Sequence, residues 1–96
     1  MTHGYSEQKD AITKRLHRIE GQVRGIERMI EEDRYCIDVL TQIAAVKTAL
    51  EGVATKVLED HVTHCVAEAL ASGDAAVAGE KSEELLAAVQ RFSRTR

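Results

Sequence analysis

The stretch from residue 36 to residue 72, CIDVLTQIAAVKTALEGVATKVLEDHVTHCVAEALAS, decides the fold. Val39, Ile43, Val46, Leu50, Val53 and Val57 are spaced 4-3-4-3-4, the a/d repeat by which one α-helix packs on another. A second stripe through Leu40, Ala44, Ala54 and Leu58 predicts contacts with more than one neighbour. Small side chains at Ala44, Ala45 and Ala49 allow a close approach. Only Gly52 weakens the segment, and Ser72-Gly73 is a natural stop. The spacing therefore predicts a helix over about residues 34–72, with Asp33 as its cap.

Upstream, Ile12, Leu16, Ile19, Val23, Ile26 and Ile30 repeat the same 4-3-4-3-4 rhythm, with Gly21 and Gly25 off the seam. This predicts a first helix over about residues 6–31, capped by Ser6. Downstream, residues 73–82 read as a linker of small residues, and Leu85, Leu86, Val89 and Phe92 outline a short third helix over about 82–93 before an arginine tail. Two helices of matched rhythm, tightly joined, make an antiparallel hairpin that needs partner copies to complete a bundle.

The composition agrees with an all-α fold. The chain has 96 residues, no proline and 6 glycines, which suits one small helical domain over residues 1–96. Aromatic residues amount to 3% (Tyr5, Tyr35 and Phe92), too little bulk for a self-sufficient core, so oligomerisation is expected. No apolar run reaches the length of a membrane span and the first thirty residues carry charges throughout, so neither a membrane helix nor a secretory signal is expected. The expected compartment is the cytoplasm, where Cys36 and Cys65 are reduced thiols with redox, metal or core roles. No nucleophile–base pair or phosphate loop appears, so neither an enzyme nor a small-molecule substrate is expected.

The net charge of −3 hides an uneven distribution. Residues 1–30 hold six Lys/Arg against four Asp/Glu, residues 31–90 hold four against twelve, and the last six residues add three arginines. An acidic chain with basic ends can meet a polyanion through one face.

His61 and Cys65 stand i, i+4 on the long helix and share one side of it, about 6 Å apart along the axis. That spacing presents an imidazole and a thiolate to one metal ion. Cys36 lies 25 residues earlier, roughly 37 Å along a straight helix. Crossing two antiparallel copies near residues 49–50 brings Cys36 of one chain beside His61 and Cys65 of the other, giving two identical sites per dimer. Two thiolates and one imidazole form a soft set that favours Cu(I); zinc or nickel would need a further donor. His3 is a better source of that donor than His64, which points about 100° away from Cys65 on a regular helix. The competing reading of both cysteines is core packing.

The text Arg15-Leu16-His17-Arg18-Ile19-Glu20-Gly21-Gln22-Val23-Arg24-Gly25-Ile26, followed by Tyr35-Cys36, Gln42-Ile43-Ala44-Ala45-Val46 and His61…Cys65, closely resembles the copper-sensitive operon repressor (CsoR) family over about residues 4–70. The resemblance implies a four-helix-bundle dimer, paired into a disc-shaped dimer of dimers, that binds operator DNA when metal-free and releases it with Cu(I). It implies that Cys36 of one subunit and His61 and Cys65 of its partner are trigonal copper ligands. It also implies that Tyr35 and Glu84 lie behind the ligating histidine. His61 argues against the similar persulfide sensors, and Cys65 against the formaldehyde sensors. Nickel/cobalt sensors of this scaffold use an N-terminal histidine, so His3 keeps nickel as the second metal.

No helix-turn-helix or zinc finger is visible. The expected nucleic-acid face is the first helix. Lys14 and Arg18 are i, i+4 there, Arg15 is beside them, Lys9 lies one or two turns earlier, and Arg24 and Arg28 extend the set. Through the resemblance, Arg15 is the strongest single choice, and four copies would offer a surface suited to phosphates and DNA shape. A cytosolic copper buffer without DNA binding is the rival function; it has no need of that basic face.

Overall fold

In the computed structural model, which describes residues 4–94, a 3-10 turn at Ser6–Gln8 leads into α1 (Lys9–Glu31). After a four-residue turn come α2 (Cys36–Asp60), a π-helix (His61–Val66) and α3 (Ala67–Ala71), which continue one another as a single rod. The final helix is α4 (Ala75–Arg94). Every element among the described residues is helical, as expected of an all-α chain.

The turns differ from the expected ones in instructive ways. Asp33 does not cap α2; it ends α1. Its φ is 54°, the left-handed conformation, and the Arg34 N–H donates to the Met29 carbonyl (2.9 Å) while the Asp33 N–H donates to the Ile30 carbonyl (3.1 Å). Those paired bonds satisfy the last carbonyls of α1, and a short polar side chain tolerates the left-handed position better than most. Ser6 likewise opens the 3-10 turn, and the residue preceding α1 is Gln8. The stop at Ser72-Gly73 is where the spacing places it, with Gly73 at φ 75°.

The expected linker over 73–82 is itself helical, so the third helix spans Ala75–Arg94 instead of 82–93. Asp74 supplies the reason. Its Oδ1 accepts the Ala76 N–H (3.0 Å) and the Val77 N–H (3.3 Å), an N-cap worth about 1 kcal/mol. Ala75, Ala76 and Ala78 then start the helix readily, outweighing the roughly 1 kcal/mol cost of Gly79.

The two a/d seams divide cleanly. In α1 the buried or half-buried members are Ile12, Ile19 and Ile26, and in α2 they are Val39, Val46 and Val53. Ile12, Ile19, Val46 and Val53 pack together, with Ile26, Ala49 and Val57 against them. These rows recur every seventh residue. Most of the intervening members stay wet: Leu16, Val23 and Ile30 on α1, and Ile43 and Leu50 on α2. Leu40, from the second stripe, is 58% exposed. Half of each seam therefore closes the hairpin and the other half faces outward.

The dimensions say the same. The chain measures 58 × 28 × 14 Å with a radius of gyration of 17.7 Å, against about 13 Å for a compact domain near this length. Its thinnest dimension is little more than one helix diameter, so a single layer cannot enclose a core from both sides. Sedimentation velocity at micromolar concentration is expected to show no stable folded monomer. Leu50→Lys, at a position 46% exposed in the single chain, is expected to dissociate the assembly and lower helicity. A wild-type protein that sediments as a folded monomer would overturn the bundle.

Candidate metal centre and nucleic-acid face

The rod from Cys36 to Ala71 changes character where its chemistry lies. Residues His61–Val66 form a π-helix, whose i→i+5 bonding gives a wider turn and which elsewhere concentrates at functional sites. Four residues remain close to one full turn in either helix type, so His61 and Cys65 stay on one side of it. The His61 side chain is 30% exposed and Cys65 is half-buried; Cys36, the first residue of α2, is exposed. Both cysteines are free thiols. Neither is fully buried within the single chain.

The early start of α4 lays that helix against α3 and the π-helix. Glu84 thereby reaches the imidazole: His61 Nε2 lies 3.5 Å from Glu84 Oε1, and Lys81 Nζ lies 3.7 Å from the same oxygen. With Nε2 turned to the carboxylate, Nδ1 is the nitrogen left to face a ligand. Glu84 is more than half exposed, so the contact orients the ring more than it stabilises the fold. His61 and Glu84 are thus brought together within one chain, with Cys65 four residues further along the rod.

Cys36 and Tyr35 are not brought to them. Tyr35 is the residue preceding α2 and is 66% exposed. Cys36 stands at the opposite end of the rod from His61, about 37 Å away at the α-helical rise. Among the described residues, no three His, Cys, Asp or Glu side chains of one chain are grouped to hold a metal ion. His3 lies outside the described residues.

Two features were not picked out in the sequence. Asp60 is only 6% exposed; its Oδ1 pairs with Lys56 Nζ at 3.2 Å, and its Oδ2 has no partner among the described residues. The signal was present, because residue 60 continues the buried row 39, 46, 53 by one more heptad. The second is Gly4, buried against the backbone of Asp60 and His61; nothing in the local text points to that contact.

On α1, Lys9, Lys14, Arg15, Arg18 and Arg24 are all exposed. Arg15 and Arg18 line a groove of about 350 Å³ with Ile19, Gln22, Ala49 and Gly52. Lys14, Arg18 and Arg15 span about 100° of the helix circumference, whereas Arg24 lies about 180° from Arg15. Arg24 lines the neighbouring groove with Leu16, Val23 and Glu27. The basic set therefore divides into a Lys14–Arg15–Arg18 cluster and a separate Arg24.

Comparison with known proteins places this geometry. A family model described as metal-sensitive transcriptional repressor matches residues 8–91. The chain is 57% identical to the copper-sensing transcriptional repressor RicR of Mycobacterium tuberculosis, over 97% of this chain and 96% of that protein. It is 52% identical to the copper-sensing transcriptional repressor CsoR of Bacillus subtilis, over 99% and 91%. Its fold is similar to the crystal structure of the copper-sensing repressor CsoR with Cu(I) from Geobacillus thermodenitrificans, with a TM-score of 0.81, 48% identity and coverage of 91% and 88%. It is also similar to the nickel-responsive transcriptional regulator InrS, with a TM-score of 0.75, 41% identity and coverage of 86% and 90%.

Proposed function

The chain belongs to the metal-sensitive transcriptional repressor family, and from that premise we propose that it is a Cu(I)-responsive repressor that holds operator DNA when metal-free and lets go when copper binds. The observation that carries the metal site is the division of its donors along one rod. His61 and Cys65 share a single turn, and Cys36 stands at the far end of the same helix. An antiparallel second copy brings Cys36 of the partner subunit to them, with Tyr35 of the partner subunit alongside. A dimer then holds two such sites, and pairing two dimers covers the remaining apolar stripes.

The residues fit Cu(I). Two free thiols and one imidazole are soft donors, three in number, on partly exposed positions that a metal can reach. Bound Cu(I) would supply a link between two subunits. The protein's own part is to orient the ring: the Glu84 carboxylate lies 3.5 Å from Nε2, which leaves Nδ1 for the site. A further reading, nickel sensing, draws on the likeness to the nickel-responsive regulator and on His3 as an added donor.

DNA contact falls to α1. Lys14, Arg15 and Arg18 form an exposed basic cluster on an acidic chain, repeated on each copy of the assembly. A mobility-shift assay on promoter DNA of the chain's own gene, with and without stoichiometric Cu(I) or Ni(II), tests the whole reading. Binding by the metal-free protein and release by Cu(I) are expected. Release by Ni(II) alone would favour the nickel sensor, and absence of DNA binding would leave a copper buffer. Arg15→Ala is expected to weaken operator binding and lower the salt dependence by about one ion per copy in contact, with Cu(I) binding unchanged. Unaltered operator affinity in that variant would move the DNA face elsewhere.

A further inference from the structure

Gly4 stands where a side chain has no room. A Cβ built on it would lie 2.5 Å from the Asp60 carbonyl oxygen, 2.8 Å from its carbon and 2.9 Å from the His61 Cα. All three atoms are backbone, so no flexible side chain can give way. None of the other glycines at positions 21, 25, 52, 73 and 79 has anything within 4 Å of such a Cβ. The demand at Gly4 is for space.

The surroundings give the contact its meaning. Asp60 is the last residue of α2 and His61 the first of the π-helix, so Gly4 touches the junction at which the helix changes type. On its other side the N-terminal turn is tied to α1, because the Gln8 N–H donates to the Tyr5 carbonyl at 2.9 Å and the turn packs on that helix. At the same junction Asp60 is buried, its carboxylate paired along the helix with Lys56.

We infer that Gly4 is a positioning residue for the His61 ligand: its bare α-carbon seats the N-terminal turn on the Asp60–His61 backbone and keeps the ligand-bearing turn in its π-helical form. The inference rests on His61 being a metal ligand. It adds that Gly4, which touches the turn that carries His61, is joined to α1 and its basic cluster through residues 5–8.

Two measurements on Gly4→Ala and Gly4→Val test this. The first needs no metal: amide exchange over residues 61–66 of the copper-free protein is expected to quicken by about tenfold or more, with exchange in the middle of α2 unchanged. The second is X-ray absorption of the Cu(I)-loaded full-length protein, where the imidazole nitrogen is expected to be lost from a three-donor set and both sulfurs kept. Faster exchange with the nitrogen still bound would show that Gly4 only packs, and would overturn the inference. Unchanged exchange would overturn it as well. A wild-type protein without an imidazole donor would remove the metal-site reading and this inference with it, and the exchange result would still report the seat by itself. If Gly4→Val does not fold, the single methyl of Gly4→Ala decides by the same two readouts.

Discussion

Mixing equal amounts of Cys36→Ala and Cys65→Ala protein is expected to restore tight Cu(I) binding to about a quarter of the wild-type sites, although neither variant binds tightly alone. The figure follows from symmetry. Free exchange makes about half of the dimers mixed. A mixed dimer has one site with both sulfurs and one site with neither. The physical basis is the rod itself: Cys36 opens α2 and Cys65 lies in the π-helix beyond its end, so no bending of one chain joins them. Competition against a colorimetric Cu(I) chelator measures the recovery, with sedimentation confirming that exchange has occurred. No recovery in a fully exchanged mixture would mean that the two sulfurs do not meet across the dimer. Wild-type affinity in either variant alone would mean that a second sulfur is not needed.

The hairpin and the need for partners were legible because hydrophobic spacing carries them. Six apolar residues at 4-3-4-3-4 on each of two segments state helix, length and facing stripe together. The same spacing does not say which half of a seam closes within the chain. Ile12 and Ile19 are buried while Leu16 and Val23, of equal hydrophobicity, are exposed, and only the packing of α1 on α2 separates them. The start of α4 was missed for a different reason. Gly and small residues over 73–82 look like a linker, yet one Asp cap and three alanines outweigh a single glycine in the interior.

The candidate site divides similarly. The three candidate ligands stand out by residue type, because an imidazole and a thiol at one-turn spacing can face one metal ion. Glu84 followed from family likeness, and its carboxylate lies 3.5 Å from the His61 Nε2. The π-helix was not legible: His61–Val66 carries no proline or glycine to mark a change of helix type. What distinguishes that stretch is tertiary, namely Gly4 against its first residue and α4 packed on it. Long-range backbone contacts of this kind leave no local periodicity to read.

Replacing His61 by alanine is expected to leave a protein that still binds Cu(I) but stays on its operator when copper is added. Two thiolates from two subunits suffice to hold a soft ion, so affinity falls less than the response. The response needs more than occupancy. By linkage, if Cu(I) weakens operator binding by some factor, operator DNA weakens Cu(I) binding by the same factor; such couplings are typically about 5- to 150-fold. A ligand that binds the DNA-bound and free states equally shifts nothing, however tightly it binds. The differential must come from groups that change their contacts when the ring is engaged. His61 is the donor connected to such groups: its Nε2 meets Glu84 on α4, and its backbone meets Gly4, which leads through the 3-10 turn into α1 and the basic cluster. Operator affinity measured with and without stoichiometric Cu(I) should therefore show a large ratio for the wild type, a reduced one for Glu84→Ala, and one near unity for His61→Ala. Copper loading is checked in each sample by the thiolate-to-metal absorption. Wild-type release by a copper-loaded His61→Ala protein would mean that bridging the subunits through two sulfurs is the whole signal, and the route through His61 would have to be abandoned.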